Sequence, residues 1–205
     1  MTNHQAFMLK QLTKAAVHFD VSLKGKLVYG WRDRTIGSEV WKSRQAYWLR
    51  LVSESIHWVN KEWWESNITA DAIQGIPKPR VLELYRWRED DICYQAELME
   101  RATGKVCSST PELREMIELP NDWWINLRQS LDHIAAHSTQ RIKVTQEKIS
   151  QRFRDYYGNR VDSQVTHWTT AHGDFHWGNL MAPQLCILDW EGWGIAPGCS
   201  IPVLF

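Results

Sequence analysis

Between Ala171 and Trp190 the chain sets three polar side chains, Asp174, Asn179 and Asp189, among glycines and a short apolar run, and no other stretch restricts the fold as much. Gly173 and Gly178 free the backbone just before Asp174 and Asn179, so the intervening loop can turn back sharply. Leu180 and Met181, an Ala-Pro-Gln turn and residues 185–188 read as a short β-hairpin. Its second strand reads as buried, which makes an acid at its end costly unless a charge meets it; a cation resolves that cost. A tight loop and a hairpin bring the three polar groups around one point. That arrangement suits metal-assisted phosphoryl transfer, with Asp174 orienting an acceptor hydroxyl and taking its proton, and Asn179 and Asp189 offering hard oxygens to Mg²⁺.

His172-Gly173-Asp174, an asparagine five residues beyond the aspartate and a hydrophobic strand ending in Asp189 together resemble the aminoglycoside phosphotransferase and choline kinase family of small-molecule kinases, relatives of the protein kinases. The resemblance implies a two-lobed α+β kinase-like fold, with a β-rich nucleotide-binding lobe over residues 1–100 and a helical lobe over 101–205. It assigns the catalytic carboxylate to Asp174, the Mg²⁺ ligands to Asn179 and Asp189, and a structural role behind the catalytic loop to His172 and Gly173. ATP, Mg²⁺ and a small-molecule hydroxyl acceptor follow as expected ligands.

Earlier in the chain, residues 21–52 alternate short β-prone runs with Gly and charged turns and read as antiparallel strands. The loop from Gly30 to Ser38, with Gly37, reads either as a plain hairpin or as a phosphate cover built from backbone N–H groups. Arg50 ends a strand-like run, and residues 55–66 read as a helix with Ile56, Val59 and Trp63 on one face. By order and spacing the resemblance makes Arg50 the phosphate-binding cation and Glu62 the acid that holds it, with Glu65 as a competitor. Lysine is the commoner residue at that strand position, and arginine is not its equivalent. Two prolines, Pro77 and Pro79, prepare an extended strand, and residues 81–87 and 92–98 read as a hairpin. The run from Glu97 through Met99 to Gly104 resembles the connector whose backbone receives adenine; an ordinary strand and Gly turn has the same pattern. After Thr110 the periodicity is helical. Asn121 or Asp122 caps a helix with Trp124, Leu127, Leu131, Ile134 and Ala135 on one stripe, and residues 142–157 add a second with Ile149, Phe153 and Tyr156, ended by Gly158.

Lys plus Arg number 24 against 24 Asp plus Glu, so there is no basic excess to point to nucleic acid or a membrane surface. Cys93, Cys107, Cys186 and Cys199 lack metal-ligand spacing, and the first residues carry neither a signal pattern nor a long apolar span; a reduced, cytoplasmic protein is expected. The 13 tryptophans read as core and seam filling, with Trp177 and Trp190 beside the candidate site. Glu112, Glu115, Glu118 and Asp122 form either an acidic acceptor surface or a solvated face. Two other readings compete. The run from His172 to Asn179 also resembles metal-dependent phosphoesterases, in which Gly-Asp-x-His and Gly-Asn recur, though no Asp-x-His opens the chain, and His167, His172 and His176 resemble a zinc cluster. The short run after Asp189 resembles a truncated helical lobe, which implies a nucleotide-binding pseudo-kinase, exposed apolar surface around Trp190, Trp193 and residues 201–205, and self-association.

Overall fold

Thr2 opens the first helix of the computed structural model, which describes residues 2–198. Its hydroxyl accepts from the Gln5 N–H while the Gln5 side chain accepts from the Thr2 N–H, a reciprocal cap that starts α1 (Asn3–His18). Met8, Leu12, Ala15 and Phe19 recur at helical spacing and are all buried.

They pack on an antiparallel sheet made of β1 (Ser22–Leu23), β2 (Val28–Tyr29), β3 (Thr35–Lys42), β4 (Gln45–Ser55), β5 (Val81–Glu89) and β6 (Ile92–Glu100), in the order β1-β3-β4-β6-β5 with β2 also on β3. Alternation along the strands decides which residues meet α1. Leu49 and Leu51 of β4 and Tyr94, Ala96 and Leu98 of β6 join the core with α1, so Arg50, Gln95 and Glu97 fall on the opposite face. These elements form one compact unit, the described residues up to Ile68 together with Pro79–Ala102.

Several expectations are corrected in this unit. The helix over residues 55–66 is replaced by turns as far as Asn60 and by two four-residue helices, α2 (Lys61–Trp64) and α3 (Ser66–Thr69). Asn60 accepts the N–H groups of Glu62 and Trp63, and an asparagine is worth more at that cap than inside a helix, so the helix starts there and Ile56 and Val59 stay exposed. Gly37 lies within β3, opposite Arg50, and not in a loop; a Cβ there would come within 2.6 Å of the Trp48 ring, which explains the glycine. Gly30 closes a hairpin: its N–H donates to the Thr35 carbonyl and its carbonyl accepts from Asp33, both at 3.0 Å.

The second unit comprises Thr69–Lys78 and the described residues from Thr103 onward, so a single division near residue 100 is too simple. It contains β7 (Lys105–Val106), α4 (Asn121–Ala136), α5 (Gln146–Tyr157), β8 (Trp168–Ala171), β9 (Met181–Ala182) and β10 (Gly194–Pro197), with β7 paired to β9 and β8 to β10. The buried stripe of α4 is Trp123, Leu127, Ser130 and Ile134; Leu127 and Ile134 are buried as expected and Leu131 packs partly against the same core, whereas Trp123 takes the place expected for Trp124, which is 45% exposed. The Trp123 indole N–H finds the Met181 carbonyl at 2.9 Å, and Ser130 satisfies itself on the Asn126 carbonyl, so both are buried without an orphaned polar group. The cap position of α4 is Pro120, with no side-chain cap, in place of Asn121 or Asp122. Thr145 caps α5, which leaves Ile142 extended and bridged to Ile195, and Tyr156 is exposed.

Trp190 and Trp193 are each 3% exposed and belong to the core of this unit, contrary to the expected apolar surface; residues 201–205 and Cys199 lie outside the described residues. Glu112, Glu115, Glu118 and Asp122 are all solvated. Among the described residues no cysteine is disulfide-bonded, and no helix is long and apolar enough to cross a membrane. The fold is α+β, an antiparallel sheet with a covering helix in one unit and a helix-rich second unit that carries the Asp174 loop.

Candidate active site

β8 delivers the chain to this loop. It is held on one side by β10 and on the other by the end of α4, where the hydroxyls of Thr169 and Thr170 donate to the carbonyls of Ala135 and His137. His172 then turns inward. It is 2% exposed, lies edge-on to Trp190 with ring centroids 4.7 Å apart, and its Nε2 is 2.9 Å from the Leu188 carbonyl. A carbonyl only accepts, so the proton sits on Nε2, and Nδ1 is buried with no hydrogen-bond partner. Burial pushes the His172 pKa below the ordinary histidine value, outweighing the opposing charge of Asp189.

That shift sets a pH dependence. The unfolded chain takes up a proton at His172 near its ordinary pKa of about 6.5, whereas the folded chain resists it. This part of the stability is present above that pH and is lost as pH falls toward the folded pKa. His172→Gln keeps a donor for the Leu188 carbonyl and does not titrate, so its melting temperature is expected to fall less than the parent's between about pH 7.5 and about pH 5.5. Parallel melting curves would contradict this.

Gly173 has φ +82°, and a Cβ there would stand 2.0 Å from the Gly192 carbonyl oxygen, so only glycine allows the two backbones to approach. Asp174 follows with its side chain 55% exposed. Asn179, buried behind it, donates from Nδ2 to the Asp174 carbonyl at 2.9 Å and lies 3.5 Å from the Asp174 carboxylate. His176 accepts the Gly178 N–H through Nδ1, and its Nε2 lies 3.3 Å from Asn179 Nδ2 and 3.6 Å from the Asp174 carboxylate. The Leu188 N–H donates to the Asn179 carbonyl at 2.8 Å, and Met181 donates to Cys186, so the expected hairpin forms and places its end beside the loop.

Asp189 leaves that hairpin at φ 59°, ψ 68°, a left-handed conformation that aspartate tolerates, and is exposed. The burial cost anticipated for it is therefore absent: Leu185 and Ile187 are buried, and the turn carries Asp189 out to solvent. Among the described residues its carboxylate makes no hydrogen bond or ion pair, and neither does the Asn179 side-chain oxygen make a hydrogen bond. Two hard oxygen donors with free lone pairs could hold a divalent cation such as Mg²⁺. Among the described residues no three His, Cys, Asp or Glu side chains cluster as metal ligands, and His172 is committed to the Leu188 carbonyl in the core. Trp177 stacks parallel to Trp123 at 6.4 Å and Trp190 donates to the Ile187 carbonyl, so both serve packing.

Lys143 was not anticipated. Desolvation lowers its pKa, opposed by the negative charges of Asp174 and Asp189, which places its ammonium within the field of both.

On the sheet unit, Arg50 and Glu97 face each other in register across β4 and β6, with Arg50 Nη1 3.2 Å from Glu97 Oε2. Glu97 is 1% exposed and also accepts from Asn67 at 2.8 Å and from Gln95 at 2.7 Å. Gln95 and Asn67 are absent from the sequence-based expectation, although Gln95 and Glu97 are two polar residues on one face of an otherwise apolar strand. Glu62 lies in the first turn of α2, and Glu65 is 3.6 Å from Arg86. Glu97 and Met99 sit inside a strand paired on both edges, to β4 and to β5, and the rest of the expected connector, residues 101–104, follows that strand.

Neither a family model nor a curated protein matches the sequence. Solved structures do match in fold. Aminoglycoside phosphotransferase APH(4)-Ia is 14% identical, with a TM-score of 0.59 over 93% of this chain and 73% of that one. Spectinomycin phosphotransferase APH(9)-Ia, in complex with ADP and spectinomycin, is 13% identical, with a TM-score of 0.55 over 92% and 70%. A thermostable mutant of APH(4)-Ia in a ternary complex with AMP-PNP and hygromycin B is 15% identical, with a TM-score of 0.54 over 90% and 72%. At this identity the likeness is one of architecture, and the chain has the kinase-like fold of these phosphotransferases.

Proposed function

We propose that this chain transfers the γ-phosphoryl group of ATP to a hydroxyl of a small molecule. One observation carries the reading: hydrogen bonds from Asn179 to Asp174 and from Leu188 to Asn179 tie the loop to the hairpin end, leaving the Asp174 carboxylate, the Asn179 oxygen and the Asp189 carboxylate available. Asp174 is the base. The acceptor oxygen attacks the γ-phosphorus, the bond to the β,γ-bridging oxygen breaks with its electron pair leaving on ADP, and the hydroxyl proton passes to Asp174. Asn179 and Asp189 would hold Mg²⁺, which when bound neutralises phosphate charge. His172 and Gly173 fix the loop that carries the base. Arg50, oriented by the buried Glu97, is assigned to a phosphate oxygen, for which its planar fork is well shaped. The similar folds crystallised with ADP or AMP-PNP and with hygromycin B or spectinomycin support a nucleotide donor and a small-molecule acceptor. A cytoplasmic location accords with an ATP requirement.

The test is melting with and without Mg²⁺-ATP, followed by a phosphotransfer screen across hygromycin B, spectinomycin, homoserine, choline, a fructosamine and a macrolide. Nucleotide at a hundred times its Kd is expected to stabilise the fold by about 2.7 kcal/mol. Absence of any shift at millimolar Mg²⁺-ATP in a folded sample would overturn the reading.

A further inference from the structure

Lys143 lies against Gly173 and Gly192, the glycines beside Asp174 and Asp189. The Ile195 N–H donates to the Arg141 carbonyl at 2.8 Å and the Lys143 N–H donates to the Ile195 carbonyl at 3.0 Å, so this segment is fixed along β10. Arg141 reinforces it, donating to the carbonyls of Trp193 and Glu191 with its guanidinium 5.3 Å from the centre of the Trp193 ring. From that anchor the Lys143 side chain crosses two glycines. Its Cδ is 3.2 Å from where a Cβ on Gly173 would stand, and its Nζ is 2.5 Å from the same point on Gly192. Gly173 directly precedes Asp174, and Gly192 lies just beyond Asp189. A side chain at Gly192 would collide with the ammonium, so the missing Cβ makes room for the lysine.

The ammonium makes no hydrogen bond or ion pair among the described residues, although the charges of Asp174 and Asp189 both reach it. It is therefore not half of a closed salt bridge. Three N–H donors stay available beside the loop that carries the base, although the residue as a whole is exposed to solvent and bulk water competes for them. The partner with the matching chemistry is an anion with several oxygens arriving next to Asp174.

We propose that Lys143 binds a non-bridging oxygen of the γ-phosphoryl group as it is transferred. This rests on the phosphotransfer reading above and adds to it a cation that no local motif announces. The contact exists with a γ-phosphate and not with a β-phosphate, so two nucleotides separate it from a general electrostatic or structural role.

The experiment measures Mg²⁺-AMP-PNP and Mg²⁺-ADP affinity by calorimetry for the parent, Lys143→Met and Lys143→Arg. One lost charge-assisted hydrogen bond is expected to weaken Mg²⁺-AMP-PNP binding to Lys143→Met by about ten- to a hundredfold, with Mg²⁺-ADP binding unchanged and Lys143→Arg recovering most of the loss. Retained ADP affinity also shows that the variant is folded. Equal loss for both nucleotides, or loss for neither, overturns the assignment while leaving the phosphotransfer reading in place. A parent that binds neither nucleotide overturns that reading and the assignment with it.

Discussion

Asp174→Asn is expected to lower phosphoryl transfer by about 10²–10⁴-fold while Mg²⁺-nucleotide affinity stays near that of the parent. The variant keeps the loop, because the strong contact from Asn179 goes to the Asp174 backbone carbonyl at 2.9 Å, and the carboxylate is the weaker neighbour at 3.5 Å. An amide at 174 retains the shape and loses the ability to take a proton. Asp189→Asn has a different expected signature. It removes the one negative charge among the two proposed Mg²⁺ ligands, so nucleotide affinity and turnover should fall together. Calorimetric titration with Mg²⁺-ATP beside a turnover assay separates the two. Equal loss of nucleotide binding in both variants would reverse the division of roles, and an active Asp174→Asn would remove Asp174 as the base.

The loop that carries Asp174 is legible in the sequence because what shapes it is local. Gly173 is needed for a positive φ, Asn179 reaches back five residues, and the apolar run at 185–188 buries Leu185 and Ile187. The hairpin of β5 and β6 is legible for the same reason: two β-prone runs flank a charged turn. The first helix carried equally local signals, the Thr2-x-x-Gln5 cap and the spacing of Met8, Leu12 and Ala15, and a helical reading of the first residues would have found it.

Other features depend on contacts that spacing along the chain does not report. Gly37 looks like a loop glycine, but its missing Cβ answers to the Trp48 ring on the neighbouring strand. Glu97 faces Arg50 because of the register between β4 and β6, and the two residues are 47 positions apart. Lys143 reaches Gly173 and Gly192 from an extended segment whose place is set by β10. Asp189 was misjudged for a conformational reason: a left-handed residue after the strand carries the side chain out to water, and residue types do not announce that turn. The stripe of α4 holds at Leu127 and Ile134 but takes Trp123 in place of Trp124, because both are apolar and the acceptor at Met181 favours burial of the Trp123 indole.

Glu97→Ala is expected to destabilise the sheet unit by about 3–5 kcal/mol, a large share of a small domain's stability. Glu97 is almost fully buried, and one carboxylate collects donors from Arg50, Asn67 and Gln95. Gln95 is itself buried and extends the network, donating to the Trp64 carbonyl and accepting from Arg86 at 2.7 Å. Removing the acid strands these donors on a face where water has limited access, and takes a counter-charge from the largely buried guanidinium of Arg50. Glu97→Gln keeps the shape and two acceptor lone pairs but sets an amide N–H against donors already present, so its cost should fall between those of the parent and the alanine variant. Arg50→Met with Glu97→Met should cost less than Glu97→Ala, since the buried cation goes with the acid that faced it and methionine fills the space. Urea denaturation of the four proteins checks the order. A Glu97→Ala variant as stable as the parent would show that the network contributes nothing to the fold, and a double variant no better than Glu97→Ala would show that the burial of Arg50 is not what makes the single change expensive.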